Sequence, residues 1–170
     1  MTILIAYHSN TKNTEKVANT IKGVLEEEGK DVVMKSAKEV DPSDIKSYDL
    51  VILGSGTYNG GIGKSAKDLV AKATEFPSKF ALFCTHMQPD RNPKIFGRTK
   101  KKIEVGGATI IGETDCVGDA LGLSEEFRQK MMGSMPPERK AQMEQWFEAI
   151  KGRPNEKDLE KIEEFAKSLI

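Results

Sequence analysis

The chain has 170 residues, with 26 basic and 26 acidic side chains and two cysteines. A length of this order supports one well-buried core and leaves too little for two, and balanced charge gives no reason to expect nucleic acid or an anionic membrane as a partner. No apolar run approaches the ~20 residues that span a bilayer, no basic region precedes an apolar stretch at the start, and the thiols are too few for a secreted disulfide scaffold. The expectation is one domain over residues 1–170, cytoplasmic, with reduced thiols.

Residues 2–7 (Thr-Ile-Leu-Ile-Ala-Tyr) form a short β-branched apolar run, which predicts a strand buried on both faces. The loop that follows, His8-Ser9-Asn10-Thr11-Lys12-Asn13-Thr14, leads into a helix on which Val17, Ala18, Ile21, Val24 and Leu25 recur at helical spacing and which Gly29 closes. Hydroxyls at Ser9, Thr11 and Thr14 and the first amides of that helix all donate hydrogen bonds. In a tight strand-to-helix turn these donors converge where the helix dipole favours negative charge, and a phosphate monoester suits that point. The same residues also suit an ordinary polar helix cap.

A second strand is expected at 31–34 and a third at 49–54 (Asp-Leu-Val-Ile-Leu-Gly), followed by the loop Ser55-Gly56-Thr57-Tyr58-Asn59-Gly60-Gly61-Ile62-Gly63-Lys64-Ser65. Gly56, Gly60 and Gly61 let backbone approach a flat ring closely, and Tyr58 offers a planar face to stack on it. Glycines that serve only a turn are the alternative. A nucleotide P-loop fails on spacing, since it needs glycine five positions before Gly63, where Tyr58 stands. A helix through Ala66, Leu69, Val70 and Ala73 precedes a fourth strand at 79–85, which ends in Cys84-Thr85-His86-Met87 on the same rim. Cys84 and Arg91 are one residue too far apart for a tyrosine-phosphatase loop.

A basic helix is expected over 93–105, where Arg91, Lys94, Arg98, Lys100, Lys101 and Lys102 cluster near Asp90. A solvated face accounts for it, with an acidic partner or a phosphorylated substrate as the alternative. A fifth strand at 108–114 completes a β-α alternation that implies a parallel sheet covered on both faces. Cys84 and Cys116, near the ends of neighbouring strands, are placed to approach one another yet read as inert thiols. The tail breaks the rhythm. Helices at 124–132 and 137–150, the second opened by Pro137, make 119–152 an inserted helical hairpin, with Met131, Met132, Met135, Met143, Phe127, Trp146 and Phe147 as an adaptable apolar surface. That surface packs on the protein's own sheet or joins two copies as a homodimer. Asn155 caps a last helix through Leu159, Ile162, Phe165, Ala166 and Leu169.

The string from Ser9 to Thr14 resembles the hydroxyl-rich phosphate loop of flavodoxins, Ser/Thr-x-Thr-Gly-x-Thr, in the family's place after the first strand, with Lys12 where the family has glycine. Gly54-Ser55-Gly56-Thr57-Tyr58 is similar to the family's Gly-Ser-Pro-Thr-Tyr-type loop, with Gly56 for proline. The resemblance covers nearly the whole chain. It implies an α/β, flavodoxin-like doubly wound fold: a five-stranded parallel sheet in the order 2-1-3-4-5 with helices on both faces, and non-covalent FMN in the crevice between strands one and three. By the same resemblance Ser9, Thr11 and Thr14, with the backbone of Asn10, Lys12 and Asn13, hold the phosphate. Gly56, Thr57, Tyr58, Asn59 and Gly60 meet the ring, and Thr85 and His86 stand on the rim where the family has a second aromatic, which this chain lacks.

The function so implied is electron transfer to a redox partner protein, the alternative being an FMN-dependent reductase of a quinone or similar small electron acceptor. A flavin-free interaction module is a third class. A phosphorylated receiver domain is disfavoured, because Ala6, Tyr7 and His8 stand where acidic metal ligands are needed. The sequence offers no catalytic triad, carboxylate pair or metal-ligand spacing.

Overall fold

The structure, a computed structural model, describes all 170 residues. In chain order it runs β1 (Thr2–His8), α1 (Asn13–Glu27), β2 (Asp31–Ser36), β3 (Leu50–Tyr58), β4 (Gly61–Ile62), α2 (Lys64–Lys72), β5 (Lys79–His86), α3 (Gly97–Val105), β6 (Thr109–Val117), α4 (Glu125–Gly133), α5 (Pro137–Ile150) and α6 (Glu156–Ser168). The parallel strands stand in the order β2-β1-β3-β5-β6, and β4 adds a short antiparallel pairing to the end of β3. Without β4 this is the expected 2-1-3-4-5 order. No helix is long and apolar enough to cross a membrane.

Alternation explains the continuous apolar runs. Ile3 and Ile5 of β1, Leu50 and Ile52 of β3, and Ala81 and Phe83 of β5 face one side of the sheet, where α1 and α6 supply Val17, Ile21, Leu25, Ile162 and Ala166. Leu4 and Ala6, Val51 and Leu53, and Phe80 and Leu82 face the other side, under Ala66, Leu69 and Val70 of α2 and Ile103 of α3. Burying one large apolar side chain contributes roughly 1.5–3 kcal/mol, so these two layers carry the fold. Packing is tight enough that a Cβ on Gly54 would lie 2.0 Å from the Phe83 ring.

Several elements depart from the pattern expected. The crossover from β2 to β3 has no α-helix, only two single 3-10 turns, Ala37–Glu39 and Ile45–Ser47. Asp41-Pro42 interrupts this short stretch, the Asp41 carboxylate accepts the Ser43 amide at 2.9 Å, and buried Ala37 and Ile45, with half-buried Val40 and Tyr48, plug the core there. The basic helix begins at Gly97 rather than at residue 93: Ile95 gives its amide to the Pro93 carbonyl at 3.1 Å in a tight turn, and Ile95 and Phe96 are buried ahead of the first helical residue. Cys84 and Cys116 lie on opposite faces of the sheet, one in each core layer, so they do not approach one another. Burial pushes both thiols up to about 12, which leaves them protonated and inert.

The helical hairpin does not lie on the sheet. No residue of α4 is buried and Ile150 alone is buried in α5; it packs with Val117 and Ala120, flanked by Leu123, Trp146 and Phe147. Its caps follow the sequence: the Ser124 hydroxyl accepts the Phe127 amide, and Pro137 opens α5. At α6 Asn155 and Asp158 form a reciprocal capping box.

Candidate functional site

Four segments meet at the carboxyl ends of the central strands: the turn from β1 into α1, the end of β3, the end of β5 and the stretch after β6. They enclose a cleft of about 230 Å³ lined by Thr11, Asn13, Thr14, Gly56, Thr57, Tyr58, Thr85, His86, Met87, Asp119, Ala120, Gly122 and Leu123.

In the first turn Lys12 is the residue before α1, and it takes the left-handed conformation with φ 68°. A side chain therefore occupies a backbone state that glycine adopts without strain. The amides of Thr11, Lys12 and Asn13 meet no protein acceptor, as expected at a helix start. The Ser9 hydroxyl oxygen is buried without a hydrogen-bond partner. Asn10 gives its amide to the Tyr58 hydroxyl at 3.1 Å. Asn13 donates its side-chain amide to the Asp119 carbonyl at 2.8 Å, and the Thr14 and Thr85 hydroxyls pair at 2.8 Å. His8, beneath the turn, has its Nδ1 2.7 Å from the Ser65 hydroxyl and is lowered in pKa by burial, so it brings no cation to the site.

The glycine-rich stretch is mostly strand. β3 continues past Gly54 to Tyr58, held by the pairing of Gly56 with Thr85 on β5, and the chain then reverses at Asn59 (φ 50°) and Gly60 (φ 77°) into β4. Asn-Gly with both φ positive is the preferred two-residue hairpin turn. Asn59 and Gly60 are therefore exposed in a turn and do not line the cleft, whereas Gly56, Thr57 and Tyr58 do. The Tyr58 ring folds back over Gly56, where an added Cβ would sit 3.0–3.2 Å from it, and makes an edge contact with His8 at 5.1 Å. Burial raises the pKa of Tyr58 against the opposing pull of the Asn10 amide, so the phenol stays neutral. Thr57 donates its hydroxyl to the Thr85 carbonyl at 3.1 Å and thereby ties the second segment to the third.

His86 lines the cleft, but both its ring nitrogens are engaged. Nδ1 accepts the Gln88 amide at 3.2 Å, which puts the proton on Nε2, where it is donated to Asp115 at 2.9 Å. Its side chain is 1% exposed, so it is a fixed support of the rim rather than a freely stacking ring. Met87, more than a third exposed, is the side chain at that rim.

The fourth segment escaped the sequence reading, which assigned it to the inserted hairpin. Gly118 packs on Asn13 so closely that a Cβ would lie 2.6 Å from its side-chain nitrogen, and the Asp119 carboxylate accepts the amides of Ala120 and Gly152 at 2.6 and 2.8 Å. The available signal was position, since this stretch follows a strand on the same carboxyl-end rim, and two glycines, Gly118 and Gly122, spaced for close approach.

The donor set fits a phosphate ester: three unpartnered amides, an orphaned buried hydroxyl and a helix start, with glycine-lined backbone beside them for a planar group. The family model described as Flavodoxin domain matches residues 4–167. The chain belongs to the flavodoxin family. FMN is the cofactor which that membership implies. Among curated relatives, an uncharacterised protein of Methanocaldococcus jannaschii is 31% identical over the whole of this chain and 99% of its own length. The flavodoxin-like domain-containing protein BilS of Clostridioides difficile is 30% identical over the whole of this chain and 97% of its own length. Among solved structures, a flavodoxin of Streptococcus pneumoniae matches 99% of this chain and 97% of its own with a TM-score of 0.69 at 21% identity, a likeness of fold.

Proposed function

We propose that this flavodoxin-family chain holds FMN without a covalent bond and passes electrons between redox partners. The hydroxyls of Ser9, Thr11 and Thr14 and the amides of Thr11, Lys12 and Asn13 bind the phosphate. Asn10, whose amide is engaged, holds Tyr58 instead. Gly56, Thr57 and Tyr58 border the ring on one side, and the rim of Thr85, His86 and Met87 and the wall from Asp119 to Leu123 border it on the others. When bound, FMN supplies the capacity to take up and give up one or two electrons. The residues of the chain orient it and keep water from its buried edge.

The observation that carries this reading is the Ser9 hydroxyl. A buried polar atom without a partner costs about 1–3 kcal/mol, and an anion at the start of α1 satisfies it. Calorimetric titration of apoprotein with FMN and with riboflavin tests the assignment. Replacing Ser9→Ala together with Thr11→Ala removes two hydrogen bonds to a charged group and is expected to weaken FMN about 100-fold while leaving riboflavin unchanged. Equal losses for both ligands would remove the phosphate assignment, and no heat from FMN on refolded wild-type chain would end the reading.

A further inference from the structure

Four cations in the segment that follows β5, whose last residue His86 lines the cleft, have no ionic partner within the chain. Arg91, Lys94, Arg98 and Lys101 are exposed, and none stands in an ion pair. Two lysines of the same segment are committed: Lys100 pairs with Glu113 at 2.7 Å, and Lys102 donates to the Ala71 carbonyl. Within residues 90–105 the carboxylates are Asp90 and Glu104, both exposed and unpaired, so the segment holds six cations against two anions in a chain whose total charge is zero; Asp115 and Asp158, which line the hollow beside Arg91, are engaged by His86 and Arg153. Arg98 and Lys101 are three apart on α3 and share a helix face.

This charge is continuous with the redox site. His86 lines the cleft and also the polar hollow that holds Arg91 and Asn92. Asn92 in turn lines the groove of about 610 Å³ between α3 and β6 that holds Lys94, Lys100 and Lys101. A run of cations that begins at the rim of the cleft lies within about one Debye length, ~8 Å at physiological salt, of an approaching surface charge and steers it before contact.

We propose that this face docks an acidic electron-transfer protein, whose carboxylates meet Arg91, Lys94, Arg98 and Lys101 while its redox centre faces the flavin cleft. The proposal rests on the FMN reading above. Charge complementarity selects the partner. A neutral chain has no general affinity for anionic polymers, and Arg91, Lys94, Arg98 and Lys101 fall within one segment that holds six cations against two anions.

The test uses FMN-loaded protein, reduced with dithionite freed of excess, and two forms of one haem protein: native cytochrome c, which is basic, and succinylated cytochrome c, which is acidic. Two-electron-reduced FMN delivers one electron to each of two ferric haems and releases its protons to water. At low salt the acidic form is expected to be reduced about tenfold faster than the basic form and to bind measurably by surface plasmon resonance, with both differences vanishing at about 0.5 M salt. The variant Arg91→Glu, Lys94→Glu, Arg98→Glu, Lys101→Glu reverses the preference, and the corresponding all-Gln variant abolishes it should the first fail to fold. Equal rates, or faster reduction of the basic form by wild-type protein, would overturn the proposal. Binding of a duplex oligonucleotide with sub-micromolar affinity at physiological salt would also overturn it and make the face a nucleic-acid site. A chain that stays colourless after FMN loading would fail at the earlier step, by absorbance alone, before any haem is added.

Discussion

Lys12 stands in a left-handed backbone state with its side chain exposed. An L side chain there costs roughly 1–2 kcal/mol, offset in part by the greater freedom glycine has in the unfolded chain. Lys12→Gly is therefore expected to raise unfolding stability by about 1 kcal/mol, a rise in Tm of about 2–4 °C for a domain of this size. Urea or thermal denaturation reads it directly. A loss of stability instead would mean that the ammonium makes a contact worth more than the strain. Its neighbours divide between two tasks. Ser9 keeps a hydroxyl with no protein partner, while Asn13 gives its side chain to Asp119 and Thr14 shares its hydroxyl with Thr85, which leaves that hydroxyl room for a second bond, and the two together lock three rim segments. The turn is thereby built before any ligand enters, and attraction for an anion comes from amides and helix dipole rather than from a buried cation.

Among the elements, α6 shows how one carboxylate joins an end of the fold to the site. Asp158 caps its own helix through the Asn155 amide, accepts both arms of Arg153, and lies beside the backbone that receives Lys16 at the Pro154 carbonyl. Burial raises its pKa, but the Arg153 guanidinium and the Asn155 amide outweigh this and hold the group below its ordinary value. The unfolded chain, with a pKa of about 3.9, takes up a proton first as pH falls. The stabilisation is thus fully present above that value and drains away as pH drops through the folded pKa. Asp158→Asn is expected to cost about 2 kcal/mol at pH 7 and to flatten the acid limb of the stability curve below about pH 4. Denaturant midpoints measured across that range decide it, and an unchanged acid limb would refute it. The capping residue was legible in the sequence, as were the strands, because burial on both faces leaves a continuous apolar run such as Ile3 to Ala6. What was not legible depends on distant partners. Ser55 to Tyr58 read as loop because their strand state rests on pairing with β5, and the wall at Asp119 to Leu123 carries no local mark of the phosphate turn it packs against. The sides taken by Cys84 and Cys116 follow from the register shift in β6 near Phe80 and Ala81, which spacing alone does not reveal.

In the whole molecule the helical hairpin stands apart from both core layers yet braces the cleft. The Arg128 side chain donates to the Ala120 carbonyl at 2.8 Å and lies over the Phe147 ring at 4.6 Å, and Trp146 and Phe147 flank the small cluster of Val117, Ala120 and Ile150. Because α4 buries no residue and α5 only Ile150, little of the folding free energy resides here. Yet Ala120 and Leu123 line the cleft, and the hairpin contacts them through the Arg128 bond to the Ala120 carbonyl and the packing of Trp146 and Phe147. Removing residues 124–149 and closing the gap with a short Gly/Ser linker should therefore separate stability from binding. Cooperative unfolding is expected to persist with a loss of about 2–4 kcal/mol, since Val117, Ala120, Leu123 and Ile150 lose part of their cover and the two core layers lose none. FMN affinity is expected to fall further in proportion, by about tenfold, as the fourth wall of the cleft loosens. Urea titration and calorimetry on the same preparation report the two quantities side by side. If the shortened chain loses its sharp transition, the hairpin belongs to the folding core after all. If it binds FMN as tightly as the full chain, the wall from Asp119 to Leu123 holds its shape through Asn13, Gly152 and Arg153 alone.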